Sequence, residues 1–233
     1  MQFGNSTPFA PIIRAIGSED LNSGANAGTW ASLADYESAQ IYIDIGTPAG
    51  GAAAVTLDQA TDISGTGSKT LSFTKYYSKG QKLLMNTVVG TFSAGETLTG
   101  TSSSNTAKVI KISSDHLIIG IITGSTTWTD GEILTGGTSL ATALADGTGT
   151  DEDIWVEYTA SSDTFNTLAV TFTQYMIPID ASMLDVANDF DCFQVDIAQA
   201  ASGSTVGGAI YVMKGGRYQT YPLQSSIGAF KTV

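Results

Sequence analysis

Two side chains of this 233-residue sequence have the intrinsic reactivity of catalytic residues, the single histidine His116 and the single cysteine Cys192. A cysteine nucleophile needs a general base within hydrogen-bonding reach, and a catalytic zinc ion needs about three protein ligands. The two residues are 76 positions apart, in segments of different character. We therefore expect His116 to be an ordinary strand or turn residue and Cys192 to be a small buried hydrophobic residue.

The carboxylates form two groups in the sequence: the run Asp151-Glu152-Asp153, and the trio Asp185, Asp189 and Asp191. Neither group has the alternating ligand pattern of an EF-hand loop. Nothing in their spacing indicates the paired acids of a glycosidase, although distant acids can converge in a fold. No nucleophile elbow, phosphate-binding loop or zinc-protease motif is present. The sequence predicts no catalytic residue, metal ligand or cofactor, and it leaves open whether the acidic turns bind calcium.

The charge balance excludes some partners. The net charge is −12 and the pI is about 4.2, so an acidic chain is expected to repel nucleic acid. No apolar run approaches the ~18 residues of a membrane span, and the first residues lack the pattern of a secretory signal. One cysteine allows no internal disulfide, which is typical of a protein folded in a reducing compartment or one that does not rely on disulfides.

Apolar residues alternate with polar ones along most of the chain, as in half-buried antiparallel strands. Only 14% of residues are charged, against about 25% in typical domains. No helical period extends over ten residues, so we expect helix below about 10%, with Thr29–Glu37 and Ala181–Asp189 as the best short candidates. The alternating sets are Ile41/Ile43/Ile45, Val55/Leu57, Leu71/Phe73, Ile154/Val156/Tyr158, Leu168/Val170/Phe172, Phe193/Val195/Ile197 and Ile210/Val212.

An internal repeat occupies the middle of the chain. The segment Phe92–Gly100 (FSAGETLTG) matches Trp128–Gly136 (WTDGEILTG), 36 residues later. Two copies are too few for an open solenoid and favour a compact pseudo-symmetric unit. In each copy the sequence predicts a buried aromatic residue, a buried leucine, a glycine in a turn and a glutamate at the same position. These residues are Phe92, Gly95, Glu96 and Leu98 in the first copy, and Trp128, Gly131, Glu132 and Leu134 in the second.

The repeat divides the rest of the sequence. Residues 1–85 and 148–233 both carry alternating strands, and neither half looks complete. We predict one antiparallel, jelly-roll-like β-sandwich built from both halves, with residues 86–147 inserted at a hairpin tip. Four lysines lead into the insertion and an acidic run follows it, so these charges are expected to face each other at the neck: Lys69, Lys75, Lys79 and Lys82 against Asp151–Asp153.

Three segments carry a resemblance to a known class of protein: Val55–Lys75, Ile177–Ile197 and Gly215–Gln219. In order and content they resemble small structural proteins of tailed bacteriophages that are encoded near the capsid gene and decorate the head. The repeats resemble small modules found in many phage virion proteins. The resemblance implies a non-enzymatic capsid decoration (cement) protein on the outer surface of the head. It would be made in the host cytoplasm as a homo-oligomer or as lattice-organised copies, with the major capsid protein or other virion proteins as partners.

Two alternatives remain open at this point. A tail or fibre (adhesin) component would use the inserted unit as its exposed tip. A carbohydrate-binding β-sandwich would need an aromatic platform, for which the candidates are Trp30, Tyr36, Trp128, Trp155, Tyr211, Tyr218 and Tyr221. Their scattered spacing and the strand alternation favour packing in a core or an interface instead.

The two ends of the chain carry apolar residues without clear alternation. An acidic protein gains little from long-range attraction to an acidic surface, so we expect apolar and backbone contacts to dominate its attachment. The predicted partner-binding residues are Phe3, Phe9 and Ile12 at one end and Tyr218, Tyr221, Leu223 and Phe230 at the other. The alternative is that these terminal segments wrap around their own sandwich.

Overall fold

A computed structural model describes residues 11–48, 53–124, 127–167, 173–199 and 205–216. Of the described residues, 60% lie in strands and 3% in helix, and antiparallel sheets pack face to face. The prediction of an all-β antiparallel sandwich is confirmed.

The described residues contain seventeen strands and two single-turn 3-10 helices. The 3-10 helices are Ala181–Met183 and Val186–Asn188. The strands are β1 Ile12–Asp20, β2 Asn26–Ala27, β3 Ala31–Ser32, β4 Tyr36–Pro48, β5 Ala54–Ala60, β6 Lys69–Thr70, β7 Lys75–Val89, β8 Thr97–Gly100, β9 Thr106–Ile112, β10 His116–Thr123, β11 Ile133–Gly136, β12 Thr142–Ala145, β13 Thr150–Thr159, β14 Phe165–Asn166, β15 Thr173–Asp180, β16 Cys192–Ile197 and β17 Thr205–Gly216.

The sandwich consists of two sheets around one core. One sheet has the order β1-β17-β4-β15-β7-β13, and the other has β14-β5-β16-β2, with β3 and β6 as short additions. Alternation directs one face of each strand inward: Ile41, Ile43 and Ile45 of β4 lie in the same buried cluster as Phe193 and Val195 of β16. Period two in the sequence therefore identified these core positions correctly.

Three local expectations differ from the structure. Thr29–Glu37 is not helical, because β3 pairs with β16 there and tertiary pairing overrides the weak local preference. Ala181–Asp189 contains the two 3-10 turns rather than one helix. In β17 the inward and outward positions are the reverse of those expected from Ile210 and Val212: Ile210 faces outward, while Ala209, Tyr211 and Met213 are buried.

The second half of β7 belongs to a different body. It pairs with β10, and the pairing continues through β9, β8, β11 and β12 back to β7. We call this closed ring of six strands the repeat barrel. Its buried cluster is separate from that of the sandwich and includes Leu83 and Met85 of β7. These two residues precede position 86, where the inserted unit was expected to begin.

The registers place the repeat barrel and the chain ends at opposite ends of the sandwich. β7 runs toward the barrel and β15 runs back, so β4, which is antiparallel to β15, also runs toward it. β17 runs away from the barrel and ends where Gly216 pairs with Tyr36. Ile12, at the start of β1, pairs with Val212 at that same far end. The segments 1–10 and 217–233 therefore both connect to the sandwich at the corner remote from the repeat barrel.

Aromatic side chains occupy the junction between the two bodies. Tyr76 of β7 stacks on Phe165 with ring centroids 3.9 Å apart and on Tyr158 of β13 at 5.3 Å. The Tyr158 hydroxyl donates a hydrogen bond to the backbone oxygen of Ile121 in β10, 3.0 Å away. Gly120 permits this approach, because a Cβ there would lie 2.3 Å from the same hydroxyl oxygen. The junction is thus packed as well as covalently joined.

Candidate functional site

An approximate two-fold axis relates the two copies of the repeat. Across the β8–β11 ladder Thr99 pairs with Thr135, and across the β7–β10 ladder Lys82 pairs with Ile118. Both pairs join positions 36 residues apart, which is the offset of the sequence repeat. The axis therefore passes through both ladders, and each copy contributes one half of the barrel.

Each of the repeated glutamates extends across this axis and binds a turn of the other copy. The Glu96 carboxylate accepts hydrogen bonds from the backbone N–H groups of Thr138 and Ser139, at 3.0 and 2.9 Å, and from the Ser139 hydroxyl at 2.8 Å. Its remaining bond comes from its own copy, from the Ser93 N–H at 2.6 Å. Each copy thereby closes the turn of the other.

Glu132 repeats the arrangement in the opposite direction. It accepts from the N–H groups of Ser102 and Ser103, at 3.0 and 2.9 Å, from the Ser103 hydroxyl at 3.0 Å, and from the Thr129 N–H at 2.8 Å. Every donor is the residue that corresponds, at an offset of 36, to a donor of Glu96. The exchange is symmetric in its hydrogen bonds.

Both carboxylates are buried and charged. Burial by itself would raise the pKa of Glu96, but the hydrogen bonds from Ser139, Ser93 and Thr138 together hold the pKa below its ordinary value. The same balance, with Ser103 as the main donor, lowers the pKa of Glu132. A buried carboxylate keeps its charge when it accepts several N–H and O–H bonds. These acids are structural, since their oxygens are taken up by donors of the protein itself.

Two glycines make room for the exchange. A Cβ at Gly100 would lie 2.5 Å from Glu132 Oε2, and one at Gly136 would lie 2.8 Å from both oxygens of Glu96. The turn glycines have another role: Gly95 and Gly131 have φ of 89° and 76°, a region that favours glycine. The Gly-Glu-x-Leu-Thr-Gly pattern is therefore explained glycine by glycine.

The aromatic and leucine positions of the repeat are buried. Phe92, Leu98, Trp128 and Leu134 all lie in the barrel core. The two aromatic positions differ in polarity: the buried Nε1 of Trp128 has no hydrogen-bond partner in the described part of the chain, whereas Phe92 has no such donor to satisfy.

The two reactive side chains are held in unrelated places. His116 starts β10 and places Nδ1 2.7 Å from the exposed Asp115 carboxylate. Cys192 starts β16 in the sandwich, where burial, followed by the neighbouring Asp191 carboxylate, raises the pKa of its thiol to about 12. A thiol with that pKa stays protonated near neutral pH and is a poor nucleophile.

The acids of the second group are dispersed among local contacts. Asp185 forms an ion pair with Lys69 at 2.5 Å and binds Asn188, while Asp191 contacts Ser32 and Cys192. Within the described residues no three metal-ligating side chains come together. The side chains of residues 151–153 lie outside the described set, but the backbone of Asp151 pairs with Gln81 in β7, beside Lys79 and Lys82.

One pair of neighbouring carboxylates was not predicted from the sequence. Asp58 of β5 and Asp196 of β16 are two register positions apart on adjacent strands, on the outward face of the second sheet. Burial, and then the Asp58 carboxylate, raise the pKa of Asp196. The residues are 138 positions apart in the sequence, so no local spacing could have indicated the pair.

Two of the candidate residues for an aromatic platform are buried. Trp128 lies in the barrel core and Tyr211 in the sandwich core, both almost fully buried. Trp155 is half-buried on the outer face, edge-on to Tyr42 at 5.9 Å and beneath the Lys79 ammonium at 4.8 Å. Trp128 and Tyr211 therefore cannot contribute to a sugar-binding surface, and Tyr218 and Tyr221 lie outside the described residues.

Of the predicted partner-binding residues, only Ile12 lies within the described set. Its side chain is 66% exposed, on an edge strand. Beside it the Met213 N–H donates to the Pro11 carbonyl at 2.9 Å. Residues Phe3, Phe9, Tyr218, Tyr221, Leu223 and Phe230 lie outside the described residues, and their role stays a prediction.

Comparison with protein-family models, with curated proteins and with solved structures gave no match. In the part of the chain that the structure describes, no helix is long and apolar enough to span a bilayer.

Proposed function

We propose that this protein is a non-enzymatic structural component of a phage virion, a decoration protein that binds the outer surface of the head through its terminal segments. The observation that carries the proposal is the placement of the chain ends. Both terminal segments connect at one corner, and the repeat barrel projects from the opposite end of the sandwich. A molecule held by that corner presents the barrel away from the surface that binds it.

The segments that resemble phage proteins support the proposal from a second side. Val55–Lys75 and Ile177–Ile197 are far apart in the sequence, but β5 and β16 pair over six residues, from Cys192 with Ala60 to Ile197 with Val55. They form the centre of one sheet of the sandwich. The resemblance therefore lies on one continuous structural unit, into which the repeat barrel is inserted.

The irregular edge strand β1 favours attachment through the terminal segments rather than through β1 itself. β1 is an edge strand with two register shifts, between Arg14 and Ile16 and between Ile16 and Glu19. Bulges of this kind protect an edge from pairing with another chain. The predicted mode is that terminal segments 1–11 and 219–233 order against a neighbour, by strand addition or apolar contact.

Purified heads stripped of the protein provide the test. The full chain, a variant lacking 1–11 and a variant lacking 219–233 are added back and co-sedimented with the heads. We expect the full chain to bind and restore heat resistance, and both truncated chains to remain in the supernatant with unchanged thermal midpoints. A variant without the repeat barrel is the matched control and should bind as the full chain does.

Immunogold labelling of intact particles separates the proposal from the tail or fibre alternative. Label over the shell supports decoration, and label confined to the tail overturns it. Binding by both truncated chains would place the attachment surface elsewhere on the sandwich.

A further inference from the structure

The strand order of the repeat barrel interleaves the two copies of the repeat. The first copy supplies the second half of β7 together with β8 and β9, and the second copy supplies β10, β11 and β12. Around the ring, the second half of β7 lies between β10 and β12, and β10 lies between β7 and β9. Each of these two strands is therefore bordered on both sides by strands of the other copy.

Neither copy has the ladders of a stable sheet by itself. Among the described strands of the barrel, the pairings within one copy are only β8 with β9 and β11 with β12. A two-stranded hairpin is at best marginally stable in water. Three of the four donors to Glu96 also belong to the other copy. The surface that each copy presents at this contact is thus a binding surface, and its ligand is a second repeat.

One short turn makes this association intramolecular. β9 of the first copy and β10 of the second are joined by a hairpin that a hydrogen bond closes, from the Ser113 N–H to the His116 carbonyl at 2.9 Å. The positions 36 residues away along the sequence, at the other end of the barrel, are Gly149 and Gly80, where the chain leaves for β13 and arrives along β7. The hairpin therefore occupies the place that a second sandwich would take.

We propose that the repeat is a self-association unit whose partner is another copy of the same repeat, which this chain supplies to itself. A chain that carries one copy would then build the barrel with a second chain, as an isologous pair. The two sandwiches would lie at opposite ends of the shared barrel. Each would combine residues 1–80 of one chain with residues 149–233 of the other. The inference uses only the barrel and does not depend on the proposed function.

The junction with the sandwich decides which copy the test chain keeps. A Cβ at Gly120 would lie 2.3 Å from the Tyr158 hydroxyl oxygen, and the corresponding residue of the first copy is Leu84. A chain that kept only the first copy would place this leucine against the tyrosine. A chain that keeps the second copy places Gly120 at both junctions of the shared barrel.

Removal of residues 81–116, one full period of 36 residues, gives this single-copy chain and joins Gly80 directly to Leu117. The glutamate site remains complete between two such chains. Glu132 of one chain meets Ser139 of the other, which is the residue that already donates to the equivalent glutamate in the full chain.

Sedimentation velocity and urea unfolding of the single-copy chain test the inference. We expect a dimer at every concentration at which the chain is folded, and a urea midpoint that rises with protein concentration. The matched control is the chain in which a short Gly-Ser turn replaces residues 83–149, and it should show neither effect. Equal association of that control would assign the dimer to the sandwich and overturn the inference.

A cysteine on the two-fold axis identifies the interface. Thr135 pairs with Thr99 in the full chain, so in the single-copy dimer the two Thr135 residues pair with each other. Opposed residues of antiparallel strands lie within disulfide distance. Thr135→Cys should give a covalent dimer of the single-copy chain on mild oxidation. The full chain with the same substitution should remain uncrosslinked, because Thr99 occupies the opposite position.

A folded monomer of the single-copy chain overturns the inference, as does a dimer that Thr135→Cys does not cross-link. If the single-copy chain does not fold, a variant of the full chain decides. Deletion of Ser114 and Asp115 removes the hairpin, since the shortest common hairpin loops have two residues, and it keeps both copies. We expect this variant to dimerise by exchange of copies between chains, and a monomeric or unfolded product overturns the inference. None of these outcomes alters the particle-binding test, so failure here and failure of the proposed function are distinguishable.

Discussion

Ser139, in a turn of the second copy, donates two hydrogen bonds to the carboxylate of Glu96 in the first copy, from its N–H at 2.9 Å and from its hydroxyl at 2.8 Å. Glu132 and Ser103 form the same contact in reverse. The two halves of the barrel are thus held together by polar groups that neither half could satisfy alone.

Replacement of Glu96 by glutamine should destabilise the barrel by about 2–4 kcal/mol, because hydrogen bonds to a buried charge are stronger than neutral ones and one amide group cannot accept at both positions. Urea unfolding followed by hydrogen exchange of the β8 and β11 amides measures the loss. Glu157→Gln, at an exposed glutamate of β13, is the control and should cost much less. Equal losses would contradict the structural role assigned to Glu96.

Gly100→Ala should destabilise the barrel by about 1–3 kcal/mol, because the new Cβ would overlap Glu132 Oε2. Gly17→Ala, on the edge strand β1 where nothing lies within 4 Å of a Cβ, should change the free energy of unfolding by less than about 0.5 kcal/mol. Chemical denaturation of both variants provides the comparison, and a neutral Gly100→Ala would argue against the close approach.

Trp128→Phe should be tolerated far better than Trp128→Ala. Phenylalanine is the residue of the other copy, and it removes an indole N–H that has no partner; alanine leaves a large cavity and should cost about 3–5 kcal/mol. Thermal and urea unfolding rank the two variants. Phe92→Ala should resemble Trp128→Ala, and a large difference between them would mean that the two positions are not equivalent.

Acid should weaken the barrel. The folded-state pKa values of Glu96 and Glu132 lie below their ordinary value of 4.5, so their contribution to stability is present above that pH and is lost as the pH falls through the folded values. Asp196 acts in the opposite sense. Its folded pKa is raised above 3.8, so its contribution is present below 3.8 and is lost as the pH rises through the folded value.

Hydrogen exchange as a function of pH separates the two effects, since β8 and β11 report the barrel and β5 and β16 report the sandwich. Asp196→Asn should raise sandwich stability at neutral pH and leave the acid response of the barrel in place. Parallel pH profiles for the barrel and the sandwich would contradict both assignments.

The sandwich should fold without the repeat barrel if the cut respects the shared strand. Lys82 pairs with Thr150 across β7 and β13, so a short Gly-Ser turn can replace residues 83–149. A cut at 86–147 leaves Leu83 and Met85 without their core and should give a less soluble protein. Circular dichroism and calorimetry check both, and aggregation of the shorter chain would show that the sandwich needs the barrel.

Much of the sandwich could be predicted because its strands alternate clearly. Ile41, Ile43 and Ile45 have polar neighbours, and the inward face follows directly. In β17 the segment from Ala209 to Met213 is apolar on both faces, so periodicity could not decide which face of the strand is buried.

The repeat could be found from the sequence, but its contacts could not. The spacing identifies Glu96 and Glu132 as equivalent and is silent on whether each serves its own copy or the other. Closure of the barrel was also hidden, because the second half of β7 and β10 are equivalent strands that share almost no side-chain identity across Gln81–Thr87 and Leu117–Thr123. Their equivalence becomes visible only in the ladder that joins them.

The continuity of β7 has a mechanical consequence. Its first half lies between β15 and β13 in the sandwich, and its second half lies between β10 and β12 in the barrel. A pull between the remote terminal corner and the barrel acts along this strand, so the hydrogen bonds on both its sides carry the load together, in shear. Resistance to such a pull is governed by the rate of forced unfolding, and a shared strand replaces the hinge that a flexible linker would have introduced.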